Sequence, residues 1–272
     1  MTTAISDSGV MFSDGSIQSA VLRGHLFGCT MSTAGASATM SVSAGQWADS
    51  TNLIVAPLAA TSKTTSAWVV GAAAGGLDTG AIAINSWYHF YVIRRPDTSV
   101  VDVIFSLSAT APALPANYTQ FRRIGSGRTD GVSQWILFTQ IGDDFLWASP
   151  VIDVDAVNPG TAAVTRTLTT PLGVITNALL SVGINGSSSG VNAAYFSALS
   201  VTDQASQNAN TAALTLPVTV STSGVASAWT FVPSSIRTNA SSQIRSRMAV
   251  SGVADRTGIV TLGWTDTRGR VA

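Results

Sequence analysis

Short apolar stretches alternate with turn residues along most of this chain. The strongest covers residues 87–93, where aromatic and β-branched side chains follow one another, a composition typical of strands. A turn containing Pro96 and Asp97 comes next, and a second apolar stretch follows at residues 100–107. This order predicts two antiparallel strands joined by a turn. Because apolar residues occupy both faces of the second stretch, it is predicted to be a central strand of a sandwich.

Similar patterns predict further short strands before and after this pair. Their spacing is typical of a β-sandwich or jelly roll. Residues 148–160 contain several turn formers and are predicted to be a connector. We therefore expect an N-terminal segment at residues 1–20, a first β-sandwich domain at 21–150 and a second at 151–272, each jelly-roll-like or Ig-like. Strands of the second domain are predicted at residues 161–168, 178–184, 194–202, 213–220, 228–232, 243–250 and 258–264.

The amino-acid composition strengthens the all-β prediction. The chain has no glutamate and a single lysine, Lys63, although these two residue types normally cover the exposed faces of helices. It is rich instead in alanine, serine, threonine, valine and glycine, which suit pleated surfaces and turns. We therefore expect few or no helices.

The low content of charged residues indicates that the chain associates with copies of itself. Charged residues make up 10% of the chain and the formal net charge is zero, against roughly 25% charged residues in an ordinary soluble domain. So little charge protects a monomer poorly against association, and we expect much of the surface to be buried against copies of the chain. Membrane insertion is not expected, because no apolar run approaches the ~18–20 residues of a spanning helix. Nucleic-acid binding lacks a basic field, and no secretory signal peptide is expected.

Few acidic residues suggest catalysis or metal binding. Asp143 and Asp144 are adjacent, so in a strand their carboxylates would point to opposite faces, and a solvated turn is expected instead. Asp153 and Asp155 are spaced to share a face and, with Asn158, would supply oxygen ligands that suit Ca²⁺. The EF-hand spacing is absent. We expect no catalytic residue, no cofactor and no metal, and leave open a calcium ion near Asp153 and Asp155.

The remaining candidate side chains are expected to be structural. Cys29 has no second cysteine to pair with and is expected to be a small buried residue. His89 is expected to be one polar position on a half-buried strand, because no nucleophile pattern accompanies it. Most of the seven tryptophans are expected to anchor the core, whereas an exposed one would offer a surface for stacking sugar rings. Two Arg-Arg pairs, at 94–95 and 122–123, are expected to bind Asp side chains within or between chains rather than acidic glycans or phosphates.

Three stretches resemble tail-fibre and related virion proteins of tailed bacteriophages. The first matches an F-x-D-G-[TS]-x-Q element found near the start of many such proteins, through Phe12, Asp14, Gly15, Ser16 and Gln18. Residues 87–98 with 116–126, and residues 243–247 with 261–270, are similar to a recurrent phage and prophage module. The resemblance implies a location in the virion and a homotrimer, and it implies no catalytic residue.

The first of these stretches contains the candidate attachment residues. The resemblance implies that this end of the chain attaches to the particle or sets the contacts between chains, through Phe12, Asp14, Gly15, Ile17 and Gln18. Asp14-Gly15 is also a strong turn dipeptide and predicts a small hairpin. Phe12 and Ile17 would then bury apolar surface in a neighbouring chain.

Three functional hypotheses are compatible with these patterns. The leading one is a non-enzymatic structural protein of a tailed phage, in a tail fibre or tail tip, whose partners are copies of itself, other tail or baseplate proteins and a host-surface glycan. One alternative places the same scaffold on the capsid, as a head fibre or decoration protein. The other is a glycan depolymerase, which would require Asp side chains that converge in a groove.

Overall fold

The computed structural model describes residues 4–6, 9–11, 17–18, 23–186, 191–205, 218–223 and 228–270. Every regular element in these ranges is a β strand, so the all-β prediction is confirmed. The strands of the first part are β1 (Ala4–Ser6), β2 (Gly9–Met11), β3 (Ile17–Gln18), β4 (Leu26–Gly28), β5 (Met31–Ser32), β6 (Thr39–Val42), β7 (Gly45–Ala48), β8 (Val55–Leu58), β9 (Thr61–Ala67), β10 (Ala74–Leu77), β11 (Trp87–Arg94), β12 (Val101–Ser106) and β13 (Gln120–Arg128). Those of the second part are β14 (Phe138–Ile141), β15 (Asp144–Val157), β16 (Val164–Thr167), β17 (Asn177–Gly186), β18 (Val191–Ala198), β19 (Val218–Ser223), β20 (Ala228–Arg237), β21 (Gln243–Met248) and β22 (Arg256–Thr265).

The N-terminal strands β1, β2 and β3 form a small antiparallel sheet. Met11 of β2 pairs with Ile17 of β3, in agreement with the predicted hairpin. Three residues of the predicted attachment element lie outside the described residues: Phe12, Asp14 and Gly15. Ile17 and Gln18 form β3, and their role in attachment stays a prediction.

A seven-stranded sheet in the order β13-β11-β12-β10-β9-β6-β5 dominates the first part of the chain. β11 lies between β12 and β13 and pairs antiparallel with both, so the antiparallel pair predicted around the Pro96-Asp97 turn is confirmed. β10 differs from the other strands because it runs parallel to both β9 and β12. β11 is buried over nearly its whole length, which is why aromatic and apolar residues occupy both of its faces.

The first core is built by this sheet, the three-stranded sheet β4-β7-β8 and the strands β14, β15 and β22. Aromatic side chains dominate it. The ring of Trp135 meets the rings of Tyr88, Phe90 and Phe105 at centroid distances of 5.9, 5.2 and 5.1 Å, all in edge-to-face arrangements. Such contacts stabilise the fold beyond the burial of apolar area alone.

The second core lies between two sheets, with strand orders β14-β15-β22-β17-β20 and β16-β21-β18-β19. Leu180, Val182 and Ile184 of β17 point into this core because alternate residues of a strand share a face. Phe196 of β18 and Ile244 of β21 belong to the same cluster. This part of the molecule is therefore a β-sandwich with a mainly aliphatic core.

Residues 148–160 are not the connector that the sequence predicted. β15 runs through most of them and pairs with β22 on both sides of Pro150. The proline is tolerated because it falls where the pairing register shifts, between Leu146 and Val151, and such irregularities spare the backbone N–H that proline lacks. The connector prediction was wrong because a strand with irregular pairing accommodates these turn-forming residues.

The long strands β15 and β22 contribute to both cores. Phe145 and Trp264 lie in the first core, where their rings stack at a centroid distance of 5.1 Å. Val154 and Ile259, further along the same strands, lie in the second core. The boundary expected between residues 150 and 151 falls inside β15, and the final strand returns to the first core.

Candidate functional site

Two aromatic side chains of β20 form an exposed stacked pair, which we call the aromatic platform (Trp229 and Phe231). The two residues are two positions apart in a strand, so their side chains share a face. Their ring centroids are 5.0 Å apart and their planes are inclined by 17°. Trp229 is 37% exposed and Phe231 is 44% exposed. The platform therefore presents a contiguous aromatic surface to solvent, a feature that marks binding surfaces.

Two glycines on the neighbouring strands make room for these rings. Phe231 lies opposite Gly183 of β17, and Gly183 lies opposite Gly258 of β22. A Cβ atom on Gly183 would come within 2.5 Å of Cδ1 of Phe231, and one on Gly258 would come within 3.0 Å of Cζ3 of Trp229. Only glycine lets the rings lie this close to the sheet, so these two positions support the platform and set the orientation of its rings.

Polar side chains flank the platform on the next row of the sheet. Trp229 lies opposite Asn185 of β17, which lies opposite Arg256 of β22. The guanidinium of Arg256 is 5.8 Å from the Trp229 ring centroid, within the range of a cation–π contact. Arg256 also binds Asp155 of β15, with Nε 3.0 Å from Oδ1 and a second contact from Nη2 to Oδ2. A charged donor, a carboxylate and an amide thus accompany the aromatic surface.

This combination suits a sugar ring better than a purely apolar ligand. One face of a pyranose carries mainly C–H groups, which pack on aromatic rings, while its rim carries hydroxyls that need hydrogen-bond partners. The rings of the platform would contact the C–H face, and Arg256, Asp155 and Asn185 would meet the hydroxyls. Placing the groups on strands rather than on loops holds them in a fixed geometry.

The adjacent acids Asp143 and Asp144 lie at the hairpin between β14 and β15, as predicted. Asp143 binds Arg268, with Oδ1 2.8 Å from Nη2, and also contacts Arg270. Asp144 accepts a hydrogen bond of 2.5 Å from Oγ1 of Thr265. The two carboxylates therefore meet different partners, and this pair does not form the converging arrangement that a glycan hydrolase requires.

Asp153 and Asp155 do not converge either. The register of β15 shifts between Ile152 and Val154, so Asp153 is an extra residue that breaks the alternation on which the shared face was predicted. Asp153 accepts hydrogen bonds from the N–H and the hydroxyl of Thr169, at 2.8 and 2.6 Å. Asp155 instead binds Arg256. The structure thus does not bring the proposed calcium ligands together, and among the described residues no cluster of three metal-ligating side chains occurs.

Cys29 and His89 are both fully buried. Burial raises the pKa of the Cys29 thiol to about 11, so the thiol stays protonated at neutral pH and behaves as the small apolar residue that was predicted. His89 sits deeper than the half-buried position expected for it, because both faces of β11 are covered. Its Nδ1 lies 2.9 Å from Oγ of Ser126, and burial, followed by the charge of Arg123, lowers its pKa to about 4.

The tryptophans divide as the composition predicted. Five of them are buried in the first core: Trp47, Trp87, Trp135, Trp147 and Trp264. Trp68 packs edge-to-face on Tyr118 at 5.4 Å. Trp229 is the exposed one that the platform uses.

The Arg-Arg pairs also find acids within the chain. Arg95 binds Asp97 at the surface, and Arg123 binds Asp266 in a buried pair. Intrachain pairing is thus confirmed for one arginine of each pair.

Five residues of the site were not singled out from the sequence: Phe231, Asn185, Gly183, Gly258 and Arg256. An isolated glycine inside a strand pattern signals a close approach of other atoms, so the two glycines carried a readable signal. Arg256 carried none, because its position beside Trp229 depends on the pairing of β17 with two different strands.

Comparison of the chain with known protein families, with curated proteins and with solved structures found no match. In the described part of the chain, no helix has the length and apolar character needed to cross a membrane.

Proposed function

We propose that this chain is a non-enzymatic structural protein of a tailed-phage virion, in a tail fibre or tail tip, that helps the particle bind a host-surface glycan. The observation that carries the binding role is the aromatic platform with its glycine support and its flanking Arg256–Asp155 pair. The likeness of residues 12–18 to the attachment element of phage fibres supports the virion location. Under this proposal, the N-terminal segment contacts the particle and the β-sandwich part faces the host.

A homotrimer is part of the same proposal. Large apolar side chains are exposed at several places outside the platform, among them Leu53, Val132, Ile152 and Val253. Because the chain has so few charged residues, charge repulsion does little to prevent these surfaces from associating in solution. Contacts between copies, and with other tail or baseplate proteins, would bury such surfaces.

The glycan-binding role is tested by replacing one platform ring. The probe is an array of lipopolysaccharide core and O-antigen oligosaccharides, capsular polysaccharides and teichoic-acid fragments. Trp229→Ala should weaken binding to any glycan that the wild-type protein binds. The expected loss of affinity is about two- to tenfold, which corresponds to the free energy of one aromatic contact. Phe27→Ala is the matched control, because Phe27 is an exposed aromatic residue on a different sheet.

Two outcomes would contradict the binding role. One is unchanged glycan binding by the Trp229→Ala protein, and the other is an equal loss with Phe27→Ala. Release of shorter glycan chains during incubation would contradict the non-enzymatic part of the proposal and favour the depolymerase alternative. A map of the assembled particle with this protein on the capsid would favour the head-fibre alternative.

The orientation of the chain is tested at its other end. Phe12→Ala should reduce incorporation of the protein into particles while the purified β domains stay folded, because Phe12 is proposed to bury its ring in a neighbour. Normal assembly combined with loss of adsorption to cells would reverse the orientation.

Light scattering at micromolar protein should show a trimer.

A further inference from the structure

A cavity of about 500 Å³ lies between β13, the chain after β22 and residues 174–175. Its volume is within the usual range for small-molecule sites. Three arginines line it, Arg122 and Arg123 from β13 and Arg268 from the C-terminal chain, together with a single acid, Asp266. The walls thus carry more positive than negative charge, in a chain whose formal net charge is zero.

The single acid is already committed to one arginine. Asp266 binds Arg123 through two hydrogen bonds, with Oδ2 2.5 Å from Nη1 and Oδ1 2.7 Å from Nη2. It also accepts a hydrogen bond of 2.8 Å from the N–H of Arg268. Burial alone would raise the pKa of Asp266, but the bonds and charge of Arg123 hold it below its ordinary value. Asp266 and Arg123 therefore neutralise each other, and among the cavity arginines Arg122 is left with no acid that hydrogen-bonds it in the described residues.

Arg122 is the least satisfied of these arginines. It is 4% exposed and donates one hydrogen bond, from Nη1 to the carbonyl of Ala48 at 3.2 Å. Its Nε and Nη2 have no hydrogen-bond partner among the described residues. Burial, followed by the charges of Arg270 and Arg268, lowers the pKa of Arg122. Unpaired buried charge of this kind is costly unless something else binds it.

Arg268 is a second arginine of this cavity with an unused nitrogen. It is 5% exposed, and its Nε and Nη2 bind Asp143 at 3.1 and 2.8 Å. Its remaining nitrogen, Nη1, has no partner in the described ranges. Two nearly buried guanidiniums that line one cavity thus hold three nitrogens that have no hydrogen-bond partner among the described residues.

We infer that this cavity is an anion site, in which Arg122 and Arg268 bind the phosphate or carboxylate group of a small ligand. The planar donor fork of arginine matches the geometry of both groups. The unused nitrogens are buried, so wall atoms must shift slightly for the anion to reach them. Beyond the arginines, the cavity offers apolar contacts from Tyr91 and Phe121 and polar ones from Ser50. This mixture suits a ligand the size of an acidic or phosphorylated sugar, and the inference stands independently of the aromatic platform.

Calorimetric titration of the full chain with four compounds tests this inference: inorganic phosphate, glucose 6-phosphate, glucuronate and glucose. The anions should bind with one site per chain and more weakly as sodium chloride is raised, and glucose should not bind. Tighter binding of the sugar anions than of inorganic phosphate would identify a sugar-borne anion as the ligand. The reverse order would identify the free ion.

Variants connect the binding to the two arginines. Arg122→Met should weaken phosphate binding at least about tenfold, because it removes charge-assisted hydrogen bonds. Arg95→Met, which removes an exposed arginine paired with Asp97, and Trp229→Ala should both leave it unchanged. Glucose binding as tightly as the anions, or undiminished phosphate binding by Arg122→Met, would overturn the inference.

A measurement on the unaltered protein covers the case in which Arg122→Met does not fold. Crystals of the wild-type chain soaked in tungstate should show an anomalous peak within hydrogen-bond distance of Nε or Nη2 of Arg122. A peak elsewhere, or none in the cavity, would overturn the assignment.

Discussion

Lys63 and Arg122 are both buried cationic side chains, but they differ in how many of their hydrogen-bond donors have partners. Lys63 is fully buried, and its ammonium donates to the carbonyls of Val69 and Gly71 at 2.8 and 2.9 Å and to Asp102 at 2.8 Å. Its three donors thus have three acceptors. Arg122 is almost as deeply buried. In the described part of the chain, however, a single one of its five N–H donors makes a hydrogen bond.

The difference separates a structural charge from one that is available to a ligand. Asp102 is also satisfied, because it accepts the N–H groups of Gly71 and Val103 in addition to Lys63. The Lys63 site is a closed network that ties the segment around residues 69–71 to β12. The arginine cavity instead holds guanidinium nitrogens that have no hydrogen-bond partner among the described residues. Burial of a charge therefore indicates function only when the partners of that charge have been accounted for.

The largest effect is expected at the closed site. Asp102→Ala leaves the ammonium of Lys63 buried without a counter-charge, and breaking a buried pair in this way costs about 3–5 kcal/mol. Urea unfolding followed by tryptophan fluorescence measures the loss. Asp97→Ala is the control, because Asp97 pairs with Arg95 at the surface, where solvent screens the ion pair, and its loss of stability should be much smaller. Equal losses in the two variants would contradict a special role for the Lys63 network.

The next effect depends on pH and arises at His89, beside the Arg123–Asp266 pair. Its folded pKa, about 4, lies below the ordinary value of 6.5, so the unfolded chain binds a proton more readily. Its contribution to stability is therefore complete above pH 6.5 and is lost as the pH falls from 6.5 to 4. The loss at pH 4.5 should be about 2–3 kcal/mol.

Urea unfolding at pH 7 and pH 4.5 gives the size of this loss. A His89→Gln variant keeps a hydrogen-bonding side chain opposite Ser126 but does not titrate, so its free energy of unfolding should change much less between the two pH values. The same change in both proteins would show that another group is responsible.

The smallest effect is expected at Arg122, and it contrasts with the neighbouring residue. Arg122→Met removes an uncompensated charge, so the free energy of unfolding should stay within about 1 kcal/mol of the wild-type value or rise above it. Arg123→Met instead leaves Asp266 buried without its partner and should cost about 3–5 kcal/mol. Thermal and urea unfolding of the two proteins compare them directly. A large loss with Arg122→Met would show that this arginine is structural like Lys63.

Much of the fold was predictable because strand signals are local. The β11–β12 pair was predicted from two apolar stretches around a Pro-Asp turn, and the structure shows that pairing. The strands expected at residues 178–184, 243–250 and 258–264 match β17, β21 and β22 to within a few residues. The prediction failed at residues 148–160, where irregular pairing lets a strand pass through Pro150.

The candidate sites were less predictable because they depend on pairing between distant residues. Most tryptophans were expected to anchor the core, and nothing local identified Trp229 as an exposed one. Its position depends on the glycines of two other strands. Asp153 and Asp155 were expected to share a face, and a single extra residue in β15 redirected one of them.

By itself, the sequence determined the class of fold and the places of most strands, because the lack of glutamate, the single lysine and the two-residue alternation act on the backbone locally. Only the tertiary structure decided which charges are paired. Arg122 and Arg123 are neighbours in sequence and similar in type, yet Arg123 meets Asp266, 143 positions away, and Arg122 meets no acid that hydrogen-bonds it in the described residues. Strand register and the path of the C-terminal chain make that choice, because they bring Asp266 within hydrogen-bond distance of Arg123.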